Sequence, residues 1–551
     1  MTGLTHVNVD FSAFWAQFLY DRENPLLFNN GFFVYFFFVF IILFYLLRNK
    51  QRTRTYVFCF FSLYFFYKAS GAFVLLVILS AVVDFILSNL IYSAKRQSRK
   101  KILLLVSIVF NLSILIYFKY TNFFVELANE AFHTHFSLLN ILLPVGISFY
   151  TFENISYTID VYKGEFKPTD KFSEYLLFLS FFPKLVMGPI VRAKDFVPQI
   201  TQPYHISEYD FAKGFYLIFS GLFKKLIISD YITLNLVNYI FDDPKLHTGI
   251  ENLMGIYGYA FVLYCDFSGY SDVAIGIALW LGFRIPPNFL SPYQSKNITE
   301  FWRRWHISLS SWLKDYLYIP LGGNRKASVA TGLFSLLFVG GVFLAAVRLF
   351  HYSYVASAGI MGVVVLILAI PAFLNRDKRG LAASANLVTT MLLGGLWHGA
   401  SWNFILWGSL HGVGLVVHKV WLIVTGNRLN KITDNRLFQV LSLLLTFHFV
   451  CFTWVFFKAA DLQTALAMIN QIIFNFDVAS LAPFYQNYHS VVWLMLLACV
   501  LHFIPDHYAD NVIDRIGKVS LAYYLILFFV FLLMYGFFKS SEQVLPIYLQ
   551  F

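Results

Sequence analysis

Few side chains in this sequence can do chemistry, and the first is His398 in "GGLWHGASWNF", Gly394 to Phe404. A polar ring inside an apolar run costs free energy unless something occupies it. Gly394, Gly395 and Gly399 leave room for a ligand's chain to approach the backbone, and Trp397, Trp402 and Trp407 supply large walls. Such a site is roomy, dry and holds one base. A histidine satisfied by protein partners alone fits the same residues. His411 follows in the next apolar run, and His306 sits in "FWRRWHISLSSWLKDYLYIPLGGNR", 301 to 325. The carboxylates in apolar settings are Glu153, Asp160, Asp266 and Asp272. Paired structural polars are the alternative for these: Asp266 or Asp272 can neutralise Arg284, Arg303 or Arg304.

Other chemistries lack their residues. The sequence has no G-x-S-x-G elbow, P-loop, H-E-x-x-H or G-x-G-x-x-G. "HISEYD", His205 to Asp210, matches the H-x-x-x-x-D pattern of soluble glycerolipid acyltransferases, but in a polar loop without the α/β context, so it is read as a coincidence. Cys59, Cys265, Cys451 and Cys499 are scattered without a C-x-x-C pair and read as buried inert thiols, not as a metal or disulfide framework. No metal site is expected.

The elements that must position these groups are apolar. The 551 residues are 58% hydrophobic and 13% charged, and the charged share is about half that of a soluble domain. Runs such as "GFFVYFFFVFIILFYLL" (31 to 47), "GAFVLLVILSAVVDFILSNLIY" (71 to 92) and "SLAYYLILFFVFLLMYGFF" (520 to 538) are long enough to cross a bilayer. About a dozen such runs, without strand-like alternation, predict an all-α polytopic membrane protein. No hydrophilic interval is long enough for a separate globular domain, so 1–551 reads as one transmembrane domain. The first run lacks a basic leader and cleavage site and is expected to stay as an anchor.

The net charge of +11 comes from short loops beside apolar runs, among them Arg48, Lys50, Arg52 and Arg54, then Lys95, Arg96, Arg99, Lys100 and Lys101. These are positive-inside signals rather than a nucleic-acid face. They place both loops in the cytoplasm, with two crossings between them and a turn near Lys68 to Gly71. Stretches 143–162, 181–192 and 264–289 are broken by Gly, Pro and polar residues, and broken helices at membrane depth imply an internal cavity. Segment 295–325 predicts an interfacial or re-entrant helix, capped by Asn297 or Thr299, with Trp302, Trp305, Leu309 and Trp312 on one face.

Taken together, "LPVGISFYTFENISYTIDVY", "FFPKLVMGPIVR", "GLFKKLIISD", "YCDFSGYSDVAIGIALWLGFRIPPNF", "FWRRWHISLSSWLKDYLYIPLGGNR" and "GGLWHGASWNFILWGSLHG" resemble the membrane-bound O-acyltransferase (MBOAT) family, in its bacterial AlgI/PatA/DltB-like branch. The motifs run in collinear order from roughly residue 30 to 460. The resemblance implies a helical bundle with broken and re-entrant helices around a central tunnel, in the bacterial inner membrane. It implies an acyl group, by preference acetyl, moved from a cytoplasmic thioester, acetyl-CoA or a carrier-protein thioester, toward an extracellular polysaccharide. That donor is a substrate, with no bound cofactor. An SGNH-type or AlgJ/AlgX-like acetyl-accepting partner is expected outside.

By the same resemblance the catalytic histidine is His398 and the second motif histidine is His306. Trp305, Trp397, Asn403, Asp266, Asp272 and Arg304 are candidates for lining the tunnel or positioning substrate. One departure is an apparent extra hairpin, 329–374, between the two histidine motifs. An acceptor that is a lipid or secreted protein is the alternative within the family. A transporter or flippase is the alternative outside it, and would tend to show inverted repeats that the sequence lacks.

Overall fold

A computed structural model describes residues 15–28, 30–326, 328–334, 379–426, 435–538 and 544–549, with isolated positions between 336 and 370. The 329–374 hairpin therefore lies for the most part outside the described residues. Among those described, the regular structure is helical, with no strand. Among the described residues, seven helical stretches are long and apolar enough to cross a membrane, and 31–46, 462–474 and 522–537 are shorter apolar helices. Helices 31–46 and 522–537 expose large apolar side chains, among them Tyr35 and Phe38, and Leu525 and Phe529. This is the pattern of a surface solvated by lipid tails, where apolar exposure carries no penalty.

The chain divides into two compact units, residues 1–121, 138–222 and 270–285 in one and 122–137, 223–269 and 286–551 in the other. In the first unit, helices Gln51–Ser70 and Val74–Ser93 are separated at Gly71, where φ is +62°, and both pack on Phe172–Ser180. The break falls beside Lys68, within the stretch where a turn is expected from the basic loops. Arg54, however, is buried and donates to the carbonyls of Ile200 and Gln202, so it satisfies a neighbouring helix end rather than facing headgroups. Helix Ile147–Lys163 is buried almost throughout, and Glu153 is satisfied there by Lys184 at 2.7 Å and the Val191 N–H at 3.1 Å. The "HISEYD" aspartate is likewise engaged: Asp210 pairs with Arg284 at 3.0 Å. The four cysteines are free thiols, three of them buried.

Two sequence expectations need correcting. Stretch 264–289 is not broken through its Gly and Ser positions, because helix Gly249–Trp280 runs unbroken through them and ends only before Gly282, at φ +79°. Packing of a mostly buried helix overrides the local propensity of "DFSGYS". Segment 295–325 is not one amphipathic helix. Asn297 does cap it, accepting the Glu300 N–H at 2.8 Å, but the helix stops at Arg304 and restarts at Ile307. Trp302, Trp305, Leu309 and Trp312 are all buried, so this stripe packs on protein rather than on headgroups.

Candidate functional site

The second unit carries both motif histidines. His398 is the last residue of helix Arg379–His398, and the chain re-enters at once as Trp402–Thr425. These two helices cross nearly backbone to backbone. A Cβ on Gly395 would run into the Phe404 carbonyl and stand 3.2 Å from Gly408 Cα, and one on Gly412 would stand 2.9 Å from Val388 Cα. Gly399 lies directly against the Phe404 ring, and Gly394 faces the Leu313 side chain. Gly395 and Gly412 thus serve helix contact, the small-residue packing that lets apolar helices approach in a bilayer, and the space beside Gly395 and Gly399 is taken by protein.

That crossing brings His398 against aromatic rings from several elements. Its centroid lies 5.0 Å from Trp397, 5.0 Å from Trp407, 5.1 Å from Phe457 and 5.5 Å from Tyr548. Trp402 does not form part of this wall: it is 47% exposed, with its ring 5.9 Å from Phe123. Phe457 lies one residue before the end of helix Arg436–Lys458, whose C-cap carbonyl is held by Asn403, donating to Ala459 O at 2.9 Å.

His306 reaches the same cluster from the break in 298–313. It is fully buried and has φ +41°, a left-handed backbone that non-glycine residues adopt only under local constraint. Asn288 provides that constraint. Its carbonyl accepts the Ile307 N–H at 2.9 Å, and its side-chain Oδ1 accepts from the Ser308 hydroxyl at 2.6 Å and faces His306 Nδ1 at 3.3 Å. With Oδ1 the acceptor, Nδ1 carries the proton of the neutral ring and Nε2 is the basic nitrogen. The His306 ring lies 4.6 Å from Phe267, 6.1 Å from Trp397 and 6.1 Å from Tyr548. The two histidines therefore share Trp397 and Tyr548 as neighbours.

His411 is a different case. Trp302 Nε1 donates to its Nδ1 at 3.3 Å, and its Nε2 meets Thr453 Oγ1 at 2.9 Å. Both ring nitrogens are engaged by protein.

Of the remaining candidates, Trp305 is in the core against Trp454 and Phe289. Arg304 pairs with Glu300 at 2.8 Å. Asp266 neutralises none of the arginines expected of it: its partner is Lys225, at 2.6 Å, brought in by a π-helical stretch Phe223–Ser229. Arg284 and Arg304 are engaged by Asp210 and Glu300 instead. Asp272, six residues further along the same helix, belongs to the other unit. Sequence reading missed Tyr548, Phe267, Phe457, Asn288 and Lys225. Lys225 carried a signal, a cation within an apolar run; Tyr548 carried none.

Residues 169–369 match the model of MBOAT, the membrane-bound O-acyltransferase family. The peptidoglycan O-acetyltransferase of Helicobacter pylori is 33% identical over 420 residues, 72% of this chain and 69% of that protein. The probable alginate O-acetylase AlgI of Pseudomonas aeruginosa is 38% identical over 383 residues, 69% of this chain and 61% of that protein, so less than two thirds of that relative is spanned. The teichoic acid D-alanyltransferase of Bacillus subtilis is 28% identical over 327 residues, 58% of this chain and 69% of that protein. With its apolar spans, its W-H-G histidine in an aromatic cage and these relatives, this chain belongs to the membrane-bound O-acyltransferase family, multi-pass membrane acyltransferases.

Proposed function

We propose that the protein transfers an acetyl group from a cytoplasmic thioester, acetyl-CoA or a carrier-protein thioester, toward a polysaccharide outside the cytoplasmic membrane, by way of an acetyl-accepting partner. The observation that carries this reading is the placement of His398 at a helix end, caged by Trp397, Trp407, Phe457 and Tyr548, with His306 against the same Trp397 and Tyr548. Two relatives are named for O-acetylation of glycans, which favours acetyl and a polysaccharide acceptor.

In this reading His398 is the general base. It takes the proton of the acceptor hydroxyl as the new C–O bond forms. The C–S bond then breaks, and the leaving thiolate recovers that proton from the imidazolium. The aromatic cage excludes water, which keeps the thioester from hydrolysis. His306 positions the donor or the acceptor.

The test is purified protein in lipid nanodiscs, given radiolabelled acetyl-CoA and glycan oligomers, with and without an SGNH-type partner. Alkali-labile acetyl on partner or glycan supports the reading. Label on lipid alone would move the protein to the lipid-acylating branch.

A further inference from the structure

The buried charge cluster beside the histidines is not used by the acyl-transfer step itself. Asp266, 1% exposed on helix Gly249–Trp280, has its Oδ1 2.6 Å from Lys225 Nζ. Its Oδ2 accepts the backbone N–H of Ile547 at 2.9 Å. Lys225 also pairs with Asp230 at 2.7 Å and reaches the Val544 carbonyl at 3.4 Å. A buried ion cluster is a poor source of stability, since the desolvation cost rivals the Coulombic gain and an apolar cluster would pack as well. What apolar residues cannot do is hold backbone N–H and C=O groups of an irregular segment at membrane depth. Segment 544–546 is an irregular backbone, followed among the described residues by a short 3₁₀ turn at Ile547–Leu549.

The grip ends one residue before Tyr548. That ring lies 4.3 Å from Phe267, the neighbour of Asp266, and also borders His398 and His306 at 5.5 and 6.1 Å. We infer that Asp266 and Lys225 are positioning residues of the acyl-transfer site: they seat the 544–547 backbone and so set the Tyr548 ring against the two histidines. The inference rests on the proposed role of His398 and His306. Neither charged residue touches the reacting atoms in this account; both act through segment 544–549.

The direct test separates the amide from the carboxylate. Ile547→Pro deletes the donated N–H at the first position of a helical turn, where proline is tolerated, and leaves the Asp266, Lys225 and Asp230 cluster intact. Ile547→Val keeps the N–H. In full-length protein in nanodiscs, Ile547→Pro is expected to fall about tenfold below Ile547→Val in kcat, the scale of one buried hydrogen bond. Asp266→Ala, which removes both acceptor oxygens, is expected to lose at least a similar factor. The double variant Asp266→Ala with Ile547→Pro should be no slower than the slower single, because the Ile547 contact is already lost in each. Equal rates for the Pro and Val variants, or fully multiplicative losses, would overturn the assignment. Amide exchange of peptide 544–549 provides a readout independent of catalysis. It should speed about tenfold in Asp266→Ala relative to wild type, matching loss of one such bond. If wild type itself transfers no acyl group, the acyltransferase reading fails, while unchanged exchange at 544–549 in Asp266→Ala would overturn the seating role separately.

Discussion

Trp302 donates its indole N–H to Nδ1 of His411 at 3.3 Å, while the other ring nitrogen of that histidine meets Thr453. A ring satisfied at both nitrogens is structural. His411→Ala would leave the Trp302 donor buried without an acceptor, which costs about 1–3 kcal/mol. The expected outcome is a lower apparent Tm with turnover per folded molecule within a few-fold of wild type. A large loss of turnover at unchanged Tm would place His411 in the chemistry instead.

The helix crossing that carries His398 makes a paired prediction. Gly395→Ala forces its Cβ into the Phe404 carbonyl, backbone that cannot swing aside, and overpacking of this kind costs about 1–3 kcal/mol. Gly394→Ala meets only the end of the Leu313 side chain, at 3.2 Å. Thermal unfolding in detergent should therefore separate the two neighbours, with Gly395→Ala clearly less stable and less active. Equal stability would mean that the helices do not cross at these glycines.

Sidedness is checked at two exposed arginines, Arg52 and Arg99. With both basic loops in the cytoplasm, Arg52→Cys and Arg99→Cys in a background lacking reactive thiols should label with an impermeant maleimide only after cells are opened. Labelling in intact cells would reverse the orientation.

Much of the site could be read from the sequence because its motif residues sit in local patterns: a histidine between Trp397 and Gly399, a cap at Asn297, a break at Gly71. What could not be read depends on distant chain. The turn at His306 is imposed by Asn288, eighteen residues earlier, on a stretch whose spacing of Trp302, Trp305, Leu309 and Trp312 reads as one continuous helix. Asp266 finds its cation 41 residues away and its amide 281 residues away. Periodicity carries no information about such pairings, so the arginines nearest in sequence were the natural but incorrect partners. The motif glycines illustrate the same limit: their spacing signals close approach, and only the fold shows that the partner is a helix.

His306 is tested best by a variant that respects its backbone. At φ +41° a residue with a Cβ, histidine or alanine alike, carries strain of about 1–2 kcal/mol, whereas glycine adopts that conformation freely. His306→Gly removes the ring without that strain and should reduce turnover by about tenfold or more, the low end of what a positioned polar group contributes. The readout is turnover per monodisperse protein. Wild-type turnover in His306→Gly would return the residue to a structural role.

His398 is the base of the proposed transfer. A neutral imidazole is suited to take a hydroxyl proton near pH 7, and a positioned base contributes roughly 100 to 10,000-fold. The measurement is acetyl transfer by purified His398→Ala in nanodiscs, alongside wild type, with monodispersity and Tm recorded on the same samples. The expected result is a loss of at least about a hundredfold at near wild-type stability. Transfer within a few-fold of wild type would contradict the account and remove His398 from the mechanism.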